Sequence, residues 1–335
     1  MQAGKRYPFI QTLNWTRKKL YLFILFDTSV VCIYYFCDFD WMIIPWEPIS
    51  LVGIATAFYL GFKNNSSYER LWEARKIWGG IVNNSRTFGV TVRDFIKKEE
   101  SEEELKVIHK RLIYRHIAWL RAMTLQLREL KEWEHKTGYD MEFRKMLGIQ
   151  TGEINFDELK KYLSSEEFQY LMQKGNKASH ILSLQSKDLK KLKEGGYIDT
   201  FEHIKLQDLI QEMYELQGKS ERIKNFPFPR QYASANYYIV VIFIVLLPFS
   251  ILRAFDDLPH EHMIWLAIPF AVVVSWVFWL MESMGEYSEN PFEGLYNDVP
   301  ITAISRSIER DILQMIEEED LPEEIQPATK YKILY

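Results

Sequence analysis

Hydrophobic residues in this chain gather into four long runs, arranged as two pairs with a long polar but patterned stretch between the pairs. The runs cover about residues 20–37, 42–62, 237–252 and 263–281. Lengths of 16 to 21 residues suit helices crossing a hydrocarbon layer about 30 Å thick, the shortest only marginally. Asp27 interrupts the first run, Glu47 stands near one end of the second, and Pro248 and Pro269 mark kinks in the third and fourth. Between the pairs, Leu105, Ile108, Leu112, His116, Trp119, Met123 and Leu127 recur at helical spacing, as do Leu206, Leu209, Ile210, Met213 and Leu216. A loop is expected near residues 151–157, and no stretch is rich in strand formers. The pattern predicts an all-α protein with four transmembrane helices continuous with a helical body. Its expected parts are 1–62 (first two membrane helices), 63–230 (helical body), 231–284 (last two membrane helices) and 285–335 (C-terminal segment).

The second run ends on two stripes of unlike size. Ile54, Phe58 and Phe62 are bulky and one turn apart, and Gly53, Ala57 and Gly61 repeat the spacing beside them. Spacing of i, i+4, i+8 places each trio along roughly 12 Å of one helix face. Small stripes let membrane helices approach closely. A bulky apolar stripe beside one is either a lipid-facing surface or the lining of a hydrophobic constriction. Leu51 and Tyr59 are assigned to other faces of the same helix.

Basic residues set the orientation. Lys5, Arg6, Arg17, Lys18 and Lys19 precede the first run, Lys63, Arg70, Arg75 and Lys76 follow the second, and Arg222, Lys224 and Arg230 precede the third. The two short connections hold Asp38 and Asp40 in one, and Asp256, Asp257 and Glu261 against a single Arg253 in the other. Positive charge marks the cytoplasmic side, so both termini are expected there. No cleavable signal peptide is expected before the first run. The mean hydropathy of −0.21 averages over this segregation and hides it.

Composition narrows the chemistry. A net charge of −5 argues against a nucleic-acid partner. Aromatics, at 15% of residues, cluster in and beside the runs, as at bilayer interfaces. Cys32 and Cys37 are read as small buried hydrophobes rather than a disulfide or metal pair. No phosphate-binding glycine loop, zinc-protease or nucleophile-elbow motif is present, so no enzyme activity or cofactor is expected. His109 and His116 share a helix face without a carboxylate and are read as core or interface histidines. His260 and His262 flank Glu261 without a defined ligand geometry. Asp27 is expensive at the middle of an apolar helix; it is expected to hydrogen-bond a hydroxyl or tryptophan N–H of a neighbouring helix, or else to serve ion passage or pH response.

Two separated motifs make the chain recognisable. After the second run stands Asn64-Asn65-Ser66-Ser67-Tyr68-Glu69-Arg70-Leu71-Trp72-Glu73-Ala74-Arg75, then Trp78-Gly79 and Ser85-Arg86. After the fourth stands Glu289-Asn290-Pro291-Phe292, then Asn297-Asp298-Val299-Pro300, and Arg6-Tyr7-Pro8 lies near the start. Over most of its length the chain resembles the bestrophin family, in its bacterial branch. The resemblance implies an ion channel built as a homopentamer around one axial pore in the lipid bilayer, with the second membrane helix lining a hydrophobic neck. Aligning the arginine-tryptophan motif on Arg70 and Trp72 puts that neck on Ile54, Phe58 and Phe62.

Animal bestrophins also carry a calcium clasp, formed partly by an Asn and a dense acidic run after the fourth helix. Asn290 matches the Asn, but Glu293 and Asp298 are separated by four uncharged residues, a poor match to a cage of six to eight oxygens. Asn290-Pro291-Phe292 is therefore read as a helix stop that docks the C-terminal segment. Aromatic ring edges at the neck would favour anions such as chloride, while the acidic connections favour cations at a mouth; anions are favoured. A monovalent cation channel, a transporter and a membrane-anchored scaffold are the rival readings.

Overall fold

The computed structural model describes residues 1–4, 6–97, 102–152, 154–328 and 332–335. Lys5 and part of the charged run at 97–104 lie outside these residues. Among the described residues the structure is helical, with ten α-helices, three short 3-10 turns and isolated bridges in place of any strand. The all-α expectation is thus met. The chain divides into two compact units, one of Gly4–Glu69 with Pro227–Glu289, the other of Met1–Ala3, Arg70–Phe226 and Asn290–Tyr335.

The first unit holds α1 (Phe9–Cys37), the opening turns of α2 (Trp46–Phe95), α8 (Arg230–Asp256) and α9 (Ala267–Glu286). Four helices are long and apolar enough to cross a membrane. The first and third expected runs are the apolar middles of longer helices; the second run begins before α2 and forms its opening turns, and the fourth begins in the 3-10 turn that leads into α9. α1 starts at Phe9, directly after Pro8, and α8 starts after Pro229, since a proline can lead into a helix but cannot donate within it. Extending a formed helix costs no new nucleus, so polar flanks join the apolar core. One buried cluster gathers Val30, Val31, Phe243, Leu247, Ile251 and Ala271; a second gathers Phe23, Leu60, Val240 and Ile244.

The second unit holds the rest of α2, then α3 (Glu102–Arg128), α4 (Gly138–Met146), α5 (Ser165–Met172), α6 (Lys177–Glu194), α7 (Thr200–Asn225) and α10 (Ile301–Met315). Reciprocal caps start two of them: Ser164 with Glu167 opens α5, and Asp199 with Glu202 opens α7. Trp78, Phe88, Trp119 and Ile117 are fully buried in one core. His116 lies in that core, stacked on Phe88 at 5.1 Å and tilted against Trp119. Burial pushes its pKa down to about 3, so it is neutral and acts as a packing residue. His109 Nε2 meets the Ile96 carbonyl at 3.2 Å. Trp119 Nε1 donates to Gln217 at 2.9 Å, tying α3 to α7.

Candidate functional site

The orientation of α2 in the first unit follows from one seam. Its buried residues are Ile49, Gly53, Thr56, Leu60, Lys63 and Ser67, an alternation of four and three that keeps one side of a helix against its neighbours. With about 100° per residue, Phe58 lies roughly 180° from the centre of that seam, with Ile54 and Phe62 about 40° to either side. All three are exposed on the single chain, at 67%, 66% and 59%. Phe58 and Phe62 meet edge to face at 4.7 Å and 87°, a favoured aromatic geometry. The trio therefore forms one outward apolar stripe.

Two sequence assignments on this helix change. Leu51 precedes Ile54 by three residues and Phe58 by seven, so it belongs to the same face and is equally exposed at 68%; its assignment to another face was wrong. Tyr59 does point elsewhere, and it lines a cavity of about 460 Å³ with Phe62, Lys63, Ser66, Phe228, Pro229 and Tyr232. The small stripe also divides. A Cβ on Gly53 would stand 2.8 Å from the Phe243 ring, so this glycine lets α8 approach α2. Ala57 and Gly61 are exposed, and a Cβ on Gly61 would meet nothing within 4 Å. Spacing of i, i+4 advances about 40° per step around the helix, which carries the stripe out of the seam.

Beyond the stripe, the part of the motif that continues along α2 from Arg70 makes contacts within the second unit. Arg70 donates to the Ile223 carbonyl at 3.0 Å, and Glu73 pairs with Arg222 at 2.5 Å, both on α7. The Trp72 ring lies 6.0 Å from the Arg75 guanidinium. Asn290 donates to Glu293 Oε1 at 2.5 Å, Pro291 accepts from the Val299 N–H at 3.0 Å, and Phe292 is buried in the core. The two acids after Asn290 are both engaged. Glu293 accepts from His135 and from the buried Arg144 guanidinium, and Asp298 accepts from the Gly294 N–H and from Arg128. Each of these carboxylates is already bound by an arginine, so this donor set does not fit a calcium cage. Among the described residues no group of three or more His, Cys, Asp or Glu could hold a metal ion.

Asp27 departs from the expected hydrogen bond. It is fully buried, yet neither carboxyl oxygen has a hydrogen-bond partner. The tryptophan N–H that approaches α1, Trp276 Nε1, donates instead to Thr16 at 2.9 Å. A hydroxyl saturates that donor eleven residues before Asp27.

Among the described residues, four long apolar helices with a polar helical unit and no sheet define a polytopic helical membrane protein. A profile for bacterial and fungal bestrophin proteins matches residues 12–314. The chain belongs to the bestrophin family. It is similar to the voltage-dependent anion channel-forming protein YneE of Escherichia coli (strain K12), at 28% identity over 287 residues, 85% of this chain and 82% of that one. It is also similar to the voltage-dependent anion channel-forming protein RSc3414 of Ralstonia nicotianae, at 25% identity over 83% of this chain and 79% of that one. Its fold matches a bacterial bestrophin homolog from Klebsiella pneumoniae, with a TM-score of 0.75 and 24% identity over 90% of this chain and 98% of that one.

Two buried acids generate predictions. A carboxyl buried without partners costs stability, so Asp27→Leu is expected to raise the melting temperature of the solubilised protein; a fall would contradict the cost assigned to it. Burial pushes Asp298 up to about 6, with Arg128 opposing and Glu293 adding to the shift. Its folded pKa exceeds its unfolded one, so its stabilising share is full below about pH 4 and is lost as pH rises through about 6. Asp298→Asn should flatten that slope by at most about 3 kcal/mol, read from denaturation midpoints at pH 4 and pH 7.

Proposed function

We propose that this protein is an anion channel in which Ile54, Phe58 and Phe62 form a hydrophobic neck around the axis of a homopentamer. The observation that carries this reading is the outward stripe on α2, diametrically opposite the seam that packs the helix into its own chain. Several copies arranged with that stripe inward generate a ring of apolar side chains without further parts. Ala57 and Gly61, exposed beside the stripe, supply a surface on which a neighbouring copy can approach. Family membership and the names of the two bacterial relatives support anion conduction.

The physical chemistry of such a ring is simple. An ion crossing a narrow apolar constriction gives up hydration that nothing replaces, so the ring resists passage until it widens or wets. Rings of Phe58 and Phe62 that turn their electropositive edges to the axis ease an anion across more than a cation. Small monovalent anions, chloride above all, are the proposed cargo. The membrane part is 1–62 with 231–284, and 63–230 with 285–335 lies on the cytoplasmic side of a bacterial inner membrane, with both termini there.

Liposome flux of the purified protein tests the reading. Ile54→Ala, Phe58→Ala and Phe62→Ala together should raise chloride flux several-fold, with native mass still giving five subunits. Phe58→Ala alone should lower anion preference in asymmetric salt. Leu51→Ala, on the same face, should raise flux partly, and Tyr59→Ala should leave it near the parent value. Parent flux and reversal potential in the triple variant would remove the neck assignment, and a conducting monomer or dimer would remove the pentamer.

A further inference from the structure

Directly after Phe62, the seam of α2 carries a charge into the interior of the first unit. Lys63 Nζ donates to Glu282 Oε1 on α9, and Asn236 Nδ2 on α8 donates to the other oxygen, Glu282 Oε2. The three side chains are 4%, 1% and 2% exposed for Lys63, Asn236 and Glu282. One polar cluster thus joins three helices. Asn64 adds to it, donating to the Met281 carbonyl at 3.1 Å. The helices fit closely here: a Cβ on Gly285 would stand 3.0 Å from Asn64 Oδ1 and 3.4 Å from Lys63 Cγ.

Stability does not account for this cluster. Taking two charges out of water costs about as much as their attraction returns, and apolar residues of similar volume often pack as well or better. A charged group among membrane helices instead signals function. What the cluster uniquely supplies is direction. Lys63 is one residue, about 100° of rotation, from Phe62, so any turn of α2 that moves the Phe62 ring must move the ammonium off Glu282. The cluster also cancels charge, because an ammonium beside the last ring of the stripe is matched by a carboxylate.

We propose that Lys63, Glu282 and Asn236 are positioning residues for the neck: they fix the rotation of α2 at Phe62 and hold that rim electrically neutral. The proposal rests on the neck reading. Its distinguishing consequence is one of sign. Glu282→Gln leaves an unpaired ammonium beside the rim and shifts permeability towards anions, whereas Lys63→Met leaves an unpaired carboxylate and shifts it towards cations. A role in folding alone predicts no opposed shifts.

The test is reversal potential and flux of the reconstituted full chain in liposomes under a potassium chloride gradient. Glu282→Gln and Lys63→Met should change the anion-to-cation permeability ratio in opposite directions, each by at least about threefold. The double variant Lys63→Met/Glu282→Gln, neutral again, should return the ratio to the parent value while its flux differs from the parent's, because the rotational pin is gone. Lys63→Arg should keep both parent values. Shifts of the same sign, no shift, or a double variant with parent flux would overturn the proposal. If neither single variant assembles, the double variant decides by its flux. Failure of all three to assemble beside a fully active Lys63→Arg would also overturn it, by making the cluster a folding element only. Raised flux in the triple alanine variant with none of these shifts removes this proposal alone; parent flux there removes the neck reading with it.

Discussion

The arrangement of the membrane unit depends on the alternation of four and three residues along the buried side of α2. A helix has one circumference, and burying Ile49, Gly53, Thr56, Leu60, Lys63 and Ser67 on one side leaves the opposite side exposed on the single chain. Phe58 lies at the centre of that free side. Everything proposed for the neck follows from this division, because side chains that pack within the chain cannot also face an axis between chains. Gly53 is where the constraint is tightest, since the Phe243 ring occupies the space a larger side chain would need.

The second unit solves a different problem. Its helices carry many arginines and acids, and beside its buried hydrophobic core lie charges that are themselves buried. Arg121 pairs with Glu309, Arg144 with Glu293, and Lys224 with Glu134. Removing either member of such a pair leaves an uncompensated charge in the interior, which is why these contacts specify one arrangement of helices even where they add little net stability. The segment after α9 joins this scheme: Glu293 and Asp298 are bound by Arg144 and Arg128.

The four apolar runs, the helical body and the Ile54, Phe58, Phe62 stripe were legible because each depends on local spacing, which a sequence displays directly. Helix extents were less so. α1 begins at Phe9 rather than near residue 20, and α2 runs unbroken to Phe95, because a helix once started continues through polar residues that hydropathy reads as ends. Lys63 shows the limit most clearly. It stood as the marker that closed the second run and as one of the cytoplasmic flanking charges, yet it is buried against Glu282, which follows the expected end of the fourth run by one residue. Two charges far apart in sequence each look like a terminus; only packing shows that they meet. Asp27 failed for the converse reason, since a buried acid implies a partner and the Trp276 N–H that reaches α1 is taken by Thr16.

The burial of these ion pairs has a consequence for a protein that separates two solutions. Mobile ions weaken attraction between charges that water can reach, over a distance of about 8 Å at physiological ionic strength. Lys63 with Glu282, Arg144 with Glu293, and Lys224 with Glu134 are all closed to water. Brine on one side and dilute medium on the other therefore leave these attractions equally strong. Within each unit the helices are held by attractions that the salt concentration outside does not set.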